Sequence, residues 1–152
     1  MFTLRQAEAE PVQTPEERAV FELILAIRAE AAKAAEPLRK AGSIGHSLDT
    51  HLTFYARSGL LDEIKEMPGL DLREIFIVSD LGFDALDNAQ DNAHDASDTV
   101  EGLKILVAPA PGEKCARCWI YSQDLGTNAD HPGLCPRCAA VVAAIEARES
   151  CA

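Results

Sequence analysis

The chain has 152 residues, 47% hydrophobic and only 5% aromatic, with a formal net charge of −11. That length suffices for one ordinary domain or two small units, and no apolar run approaches the roughly 18 residues that span a bilayer. The charge argues against a nucleic-acid partner only until it is mapped. Residues 1–59 and 109–152 each balance at −1, while 60–108 hold 12 acids against 3 bases. The acidity belongs to one middle segment, so total charge is a poor guide to what the ends contact.

The opening MFTLRQAEAEPVQTPEER lacks the basic start and apolar core of a secretory signal, which leads to the expectation of a cytoplasmic protein. In that compartment the five cysteines do not form a disulfide framework. Residues 1–13 read as an extended lead-in. Thr14-Pro15-Glu16-Glu17 is a helix start: a threonine cap, a proline at the first helical position and a capping-box glutamate. Ala19, Val20, Leu23, Ile24, Ile27, Ala31 and Ala34 follow at three- and four-residue spacing, predicting an amphipathic helix to about Leu38 with Gly42 beyond its end. Glu22, Arg28, Glu30 and Lys33 fall on its outer face.

In LDTHLTFYAR, residues 48–57, Leu52, Phe54 and Ala56 alternate with His51, Thr53 and Tyr55, as in a half-buried strand. GLLDEIKEMPG (59–69) predicts a short helix stopped by Pro68 and Gly69. EIFIVSDL (74–81) is a β-branched run suited to a second strand, and GLKILVAP (102–109) a third. Between them, Asp84, Asp87, Asp91, Asp95 and Asp98 recur without an apolar stripe, which predicts a solvated, partly disordered acidic insertion over 84–98 joining two hairpin strands. The spacing does not fit a calcium loop.

Residues 113–142 carry the chemistry: EKCARCWIYSQDLGTNADHPGLCPRCAAVV. Cys115/Cys118 and Cys135/Cys138 form two C-x-x-C turns with 16 residues between them. Each turn can supply one edge of a sulfur tetrahedron, and the spacing suits a four-cysteine zinc site. Iron would use the same ligands. With four sulfurs bound, no position stays open to water, so the metal is structural and no catalytic residue is expected. His131 is expected to be exposed or to bond within the loop. Cys151 is left over as a terminal thiol. Arg117 and Arg137 hold the same place in the two turns, beside Lys114 and Trp119. Two cations and an aromatic suit RNA contact by phosphate pairing and base stacking; the competing expectation is that Trp119 packs beneath the metal and the arginines are solvated.

The zinc segment resembles that of bacterial isoleucyl-tRNA synthetases: the C-x-x-C-W start, the D-x-G-T-N-x-x-H-P-x-L-C centre and the C-x-x-C-x-x-x-V end. LILAIRAEAAKAAEPLRKAGSIGHSLDTHLTFYA is similar to the end of that family's anticodon-binding domain and its junction, and LREIFIVSDL and LKILVAPAPGEKC agree in order. The resemblance covers about residues 14–145. It implies a parent that joins isoleucine to tRNA(Ile) using ATP. The HIGH and KMSKS signatures are absent, so it implies a C-terminal fragment that does not itself catalyse. It further implies zinc on Cys115, Cys118, Cys135 and Cys138 and a role in holding tRNA, for which the residues themselves offer Lys114, Arg117, Trp119 and Arg137 as contacts, with the rest of the synthetase as partner.

The expected fold is α+β. An N-terminal helix (1–47, the end of a helical domain) precedes a small antiparallel sheet with a short helix (48–110, a junction). A four-cysteine zinc finger with a C-terminal helix (111–152) follows. Two other readings compete: the DNA-binding finger of a DNA-repair glycosylase, which a neutral finger behind strands disfavours, and a zinc-stabilised protein-interaction module.

Overall fold

A computed structural model of the chain describes residues 14–65 and 71–149. The lead-in at 1–13, the stop at Pro68 and Gly69, and Cys151 lie outside the described residues. Helix α1 spans Pro15–Lys40, and its start forms as the sequence dictates. The Thr14 hydroxyl accepts from the Glu17 N–H at 3.2 Å, and the Glu17 carboxylate accepts from the Thr14 N–H at 2.7 Å. At the other end Ser43 N–H reaches Leu38 O and Gly42 N–H reaches Arg39 O. Gly42 sits at φ 71°, the left-handed conformation that this paired closure requires.

Strand β1 (Thr50–Ala56) follows, then α2 (Ser58–Lys65), α3 (Leu72–Phe76), β2 (Asp80–Ala85), β3 (His94–Asp95) and β4 (Leu103–Pro109). The sheet order is β2-β1-β4-β3. Leu52, Phe54 and Ala56 are all buried as the alternation requires, but Tyr55, expected on the opposite face with His51 and Thr53, is buried as well. The inner faces of β1 and β4 meet Ile24, Ile27, Ala31, Ala34 and Ala35 of α1 in one core, which Phe54 centres at 0% exposure. The Phe54 ring lies 5.2 Å from that of Phe76 and 5.7 Å from that of Phe83, within the range of favourable aromatic pairs. Burying such side chains contributes roughly 1.5–3 kcal/mol each.

The α+β class, the helix, the small sheet and the C-terminal helix are as expected; four further details differ. The sheet is mixed, since β2 runs parallel to β1 while β4 is antiparallel to it. A parallel return needs a crossover, which α2 and α3 supply. The EIFIVSDL segment is not one strand. Asp71 caps α3 by accepting from Arg73 N–H, Ile77 closes that helix in the left-handed region at φ 56°, and β2 begins only at Asp80.

The acidic segment is folded into the domain, not looped away from it. β3 pairs with β4 at His94↔Ile105 and Asp95↔Lys104, and Ala96 and Val100 are buried. β2 and β4 are therefore no hairpin; β1 lies between them. Finally, Glu30 is not on an outer face but 3% exposed. The acidic segment covers it and supplies two partners: His94 Nε2 at 2.8 Å and the Thr99 hydroxyl at 2.7 Å, with Lys33 Nζ adding a third at 2.6 Å. Hydrogen bonding to Lys33 first, then to His94 and Thr99, holds the Glu30 carboxyl down at about 2 against burial.

Candidate metal centre and its exposed knuckle

Two short strands, β5 (Glu113–Lys114) and β6 (Tyr121–Ser122), pair antiparallel and bracket the first C-x-x-C turn. Gly112 makes their approach possible. It sits at φ 90°, and a Cβ there would lie 2.4 Å from Ser122 O. The turn closes as Trp119 N–H donates to Cys115 O and Cys115 N–H to Ile120 O, both at 3.0 Å. The second turn opens helix α4 (Pro136–Glu149), with Pro136 at a first-turn position that needs no N–H. Ala116 N–H reaches Gly133 O at 3.1 Å and Cys135 N–H reaches Cys115 Sγ at 3.3 Å, so backbone bonds already join the two turns.

The sulfurs of Cys115, Cys118, Cys135 and Cys138 all lie within 4.8 Å of one another. Zinc–sulfur bonds of about 2.3 Å in a tetrahedron set sulfurs roughly 3.8 Å apart, and Cys118 and Cys135 are 3.8 Å apart. The donor set therefore fits one structural zinc. Four thiols this close resist ionising together. Burial opposes the Cys115 thiolate, yet backbone N–H groups from 118, 135 and 117 bring it down to about 6. Burial, reinforced by the other three sulfurs, pushes Cys118 up to about 12. A dication is the natural means of holding all four as thiolates.

Cys115, Cys135 and Cys138 are buried, and Cys118 is half-buried. His131 stands outside the cluster; its Nε2 lies 3.5 Å from Glu146 Oε2, and its backbone N–H bonds Asn128.

Trp119 does not pack beneath the metal. It is 58% exposed and, at φ 66°, holds a left-handed backbone that a bulky residue rarely adopts. Lys114 stands beside it, its Nζ 6.0 Å from the Trp119 ring and 5.7 Å from the Tyr121 ring, with Asp49 as ion-pair partner at 3.2 Å. Arg117 and Arg137 are exposed but not simply solvated. Arg117 Nη1 lies 3.7 Å from Cys138 Sγ, and Arg137 lines the same groove as Cys118, whose sulfur raises the guanidinium's pKa. Sequence spacing placed these four residues near the metal; it gave no sign that Arg117 turns back toward it.

Sequence reasoning also missed Ser79, the buried hydroxyl that ties finger to sheet. It donates to Leu48 O and accepts from Tyr121 N–H at 2.8 Å. Beside it runs an open groove lined by Ile77, Ile120, Tyr121 and Arg137. Ile77, 43% exposed, shares with Trp119 the distinction of a positive φ without being glycine. Among the described residues no helix is long and apolar enough to cross a membrane.

Residues 112–141 match the family described as a zinc finger found in FPG and IleRS. The chain is 53% identical over 122 residues to the isoleucine–tRNA ligase of Nitratidesulfovibrio vulgaris (strain DSM 19637 / Miyazaki F), which is 80% of this chain and 13% of that protein. It is 46% identical over 121 residues to that of Geobacter sulfurreducens, covering 78% of this chain and 12% of the relative. The isoleucine–tRNA ligase of Caldanaerobacter subterraneus is 42% identical over 120 residues, again 78% and 12%. The chain thus spans about 13% of the length of the relatives it matches. The chain is homologous to one stretch of bacterial isoleucine–tRNA ligases, and it carries the zinc finger found in that family.

Proposed function

We propose that the chain is the C-terminal, tRNA-holding region of a cytoplasmic isoleucyl-tRNA synthetase, whose whole length joins isoleucine to tRNA(Ile) using ATP. In this reading residues 1–47 end the anticodon-binding domain, 48–110 form the junction and 111–152 the zinc domain. The zinc shapes the knuckle and takes no part in chemistry, since four sulfur ligands leave no open position. The rest of the synthetase chain is the second partner.

The observation that carries this reading is Trp119. A tryptophan at φ 66° costs on the order of 1–3 kcal/mol in backbone strain, and its ring stands 58% exposed instead of recovering that cost by burial. The knuckle presents a flat π face with Lys114 alongside, the combination that stacks an unpaired base while a cation meets its phosphate. Arg117 and Arg137, both exposed, add positive charge to the finger.

The test is a titration of tRNA(Ile) against the chain and against the full-length synthetase, with Trp119→Ala compared in each. Base stacking contributes about 1–3 kcal/mol, so the variant should bind roughly tenfold more weakly while keeping its zinc. Equal tRNA affinity for Trp119→Ala and wild type in the full-length synthetase would overturn the contact.

A further inference from the structure

Each of the two C-x-x-C turns carries an arginine that lies near a cysteine of the other turn. Arg117 belongs to the first turn and reaches Cys138 of the second, its Nη1 3.7 Å from Sγ. Arg137 belongs to the second turn and lines the same open groove as Cys118 of the first. Cys115, by contrast, accepts a backbone N–H, that of Cys135 at 3.3 Å.

We propose that Arg117 and Arg137 are positioning residues for the four-sulfur centre, neutralising its charge and slowing loss of its metal. Four thiolates around a dication carry two net negative charges, and two guanidinium groups return the total to zero. A charged N–H donor also withdraws electron density from sulfur, which makes it a poorer target for an attacking proton, chelator or electrophile. The two arginines are not equivalent. Cys118 is half-buried while Cys115, Cys135 and Cys138 are buried. It also borders the open groove, where Arg137 lies beside it. Arg137 is therefore the guard of the accessible ligand, and Arg117 serves a sulfur the fold already covers. This role rests on the zinc reading and is independent of any contact with tRNA.

The experiment uses the zinc-loaded chain without RNA. Release into excess EDTA is followed for wild type, Arg117→Ala, Arg137→Ala, the double variant, Arg137→Lys and the remote Arg148→Ala. Removal of groups that support metal ligands typically costs about 10–100-fold in affinity. Release should accordingly quicken by about tenfold in Arg137→Ala, less in Arg117→Ala, and most in the double variant. Arg137→Lys should recover part of the loss, and Arg148→Ala should match wild type. The same variants loaded with cobalt(II) supply a readout that general loosening would not move. Losing an N–H donor raises the electron density on sulfur, so the sulfur-to-metal charge-transfer band should shift to lower energy.

A double variant with wild-type release rate and an unmoved band would overturn the proposal, as would an equal acceleration by Arg148→Ala. Retention of metal by Cys115→Ser would instead strike at the zinc reading beneath it.

Discussion

Gly112 shows how much one missing methyl group permits. A Cβ at that position would meet Ser122 O at 2.4 Å, and φ 90° disfavours any L side chain. The obstructing atom is backbone, so the β5–β6 pair must open for alanine to fit. Gly112→Ala should cost the finger about 2–4 kcal/mol, visible as faster proteolysis at residues 113–142 with α1 intact. Glu30 is the other residue whose environment decides its chemistry. Its folded value of about 2 lies below the ordinary 4.5. The stability it contributes is therefore complete above about pH 4.5 and lost as pH falls toward 2. The amount is on the order of 2 kcal/mol once solvent screening is allowed for. Urea unfolding of wild type and Glu30→Gln across pH 2–6 checks this: the difference between them should shrink as pH falls, and a constant difference would refute it. The environment of Glu30 was not legible from sequence. Glu30 falls on a polar stripe by helical periodicity, and its partners His94 and Thr99 lie 64 and 69 positions away.

At the scale of elements, legibility tracked how local the determining signal was. α1 was readable because its cap is written in four adjacent residues and its stripe in the turns that follow. The zinc finger was readable because metal-ligand spacing is itself the determinant. β2 was not. The apolar run ahead of it is divided by geometry: Phe76 and Val78 are buried, while Ile77 turns outward in the left-handed region. The true strand, DLGFDA, is an edge strand, and half-exposed edges carry a weak pattern. The acidic segment misled for a related reason. Its anchors are two small residues, Ala96 and Val100, and a two-residue strand. The finger has its own small cluster around Cys115, Cys135 and Cys138, separate from the main core. Structural zinc contributes on the order of 10–16 kcal/mol to folding such a unit. Cys115→Ser should then release zinc and unfold residues 113–142 while helix α1 and the sheet persist, read by metal analysis and amide exchange. Protection within the finger of the zinc-free variant would contradict it.

Over the whole molecule, charge and architecture are segregated. Seven of the twelve acids of 60–108, from Asp80 to Glu101, lie on β2, β3 and the loops that lead to β4, and the finger beyond is near neutral. Binding of tRNA by Lys114, Arg117 and Arg137 would then involve at most three cations, one of them turned toward sulfur. The slope of log affinity against log salt should lie between about −1 and −3, since each neutralised phosphate contributes roughly 0.7–0.9. A slope well beyond about −3 for the isolated chain would place the contact elsewhere. Orientation of the finger depends on few links: Ser79 to Tyr121, Ala110 to Asp49, and Lys114 to Asp49.

The central position of β1 has a consequence for how the chain is made. Its antiparallel partner arrives late: Ala56 pairs with Leu103 and Thr50 with Pro109. During synthesis at roughly 5–20 residues per second, β1 emerges seconds before β4, with Leu52 and Phe54 lacking the strand that will cover their edge. What precedes it is α1, whose Ile24, Ile27 and Ala31 lie against the same core. The helix can thus act as a nascent-chain chaperone in cis, sheltering the strand's apolar face until the ribosome delivers its neighbour.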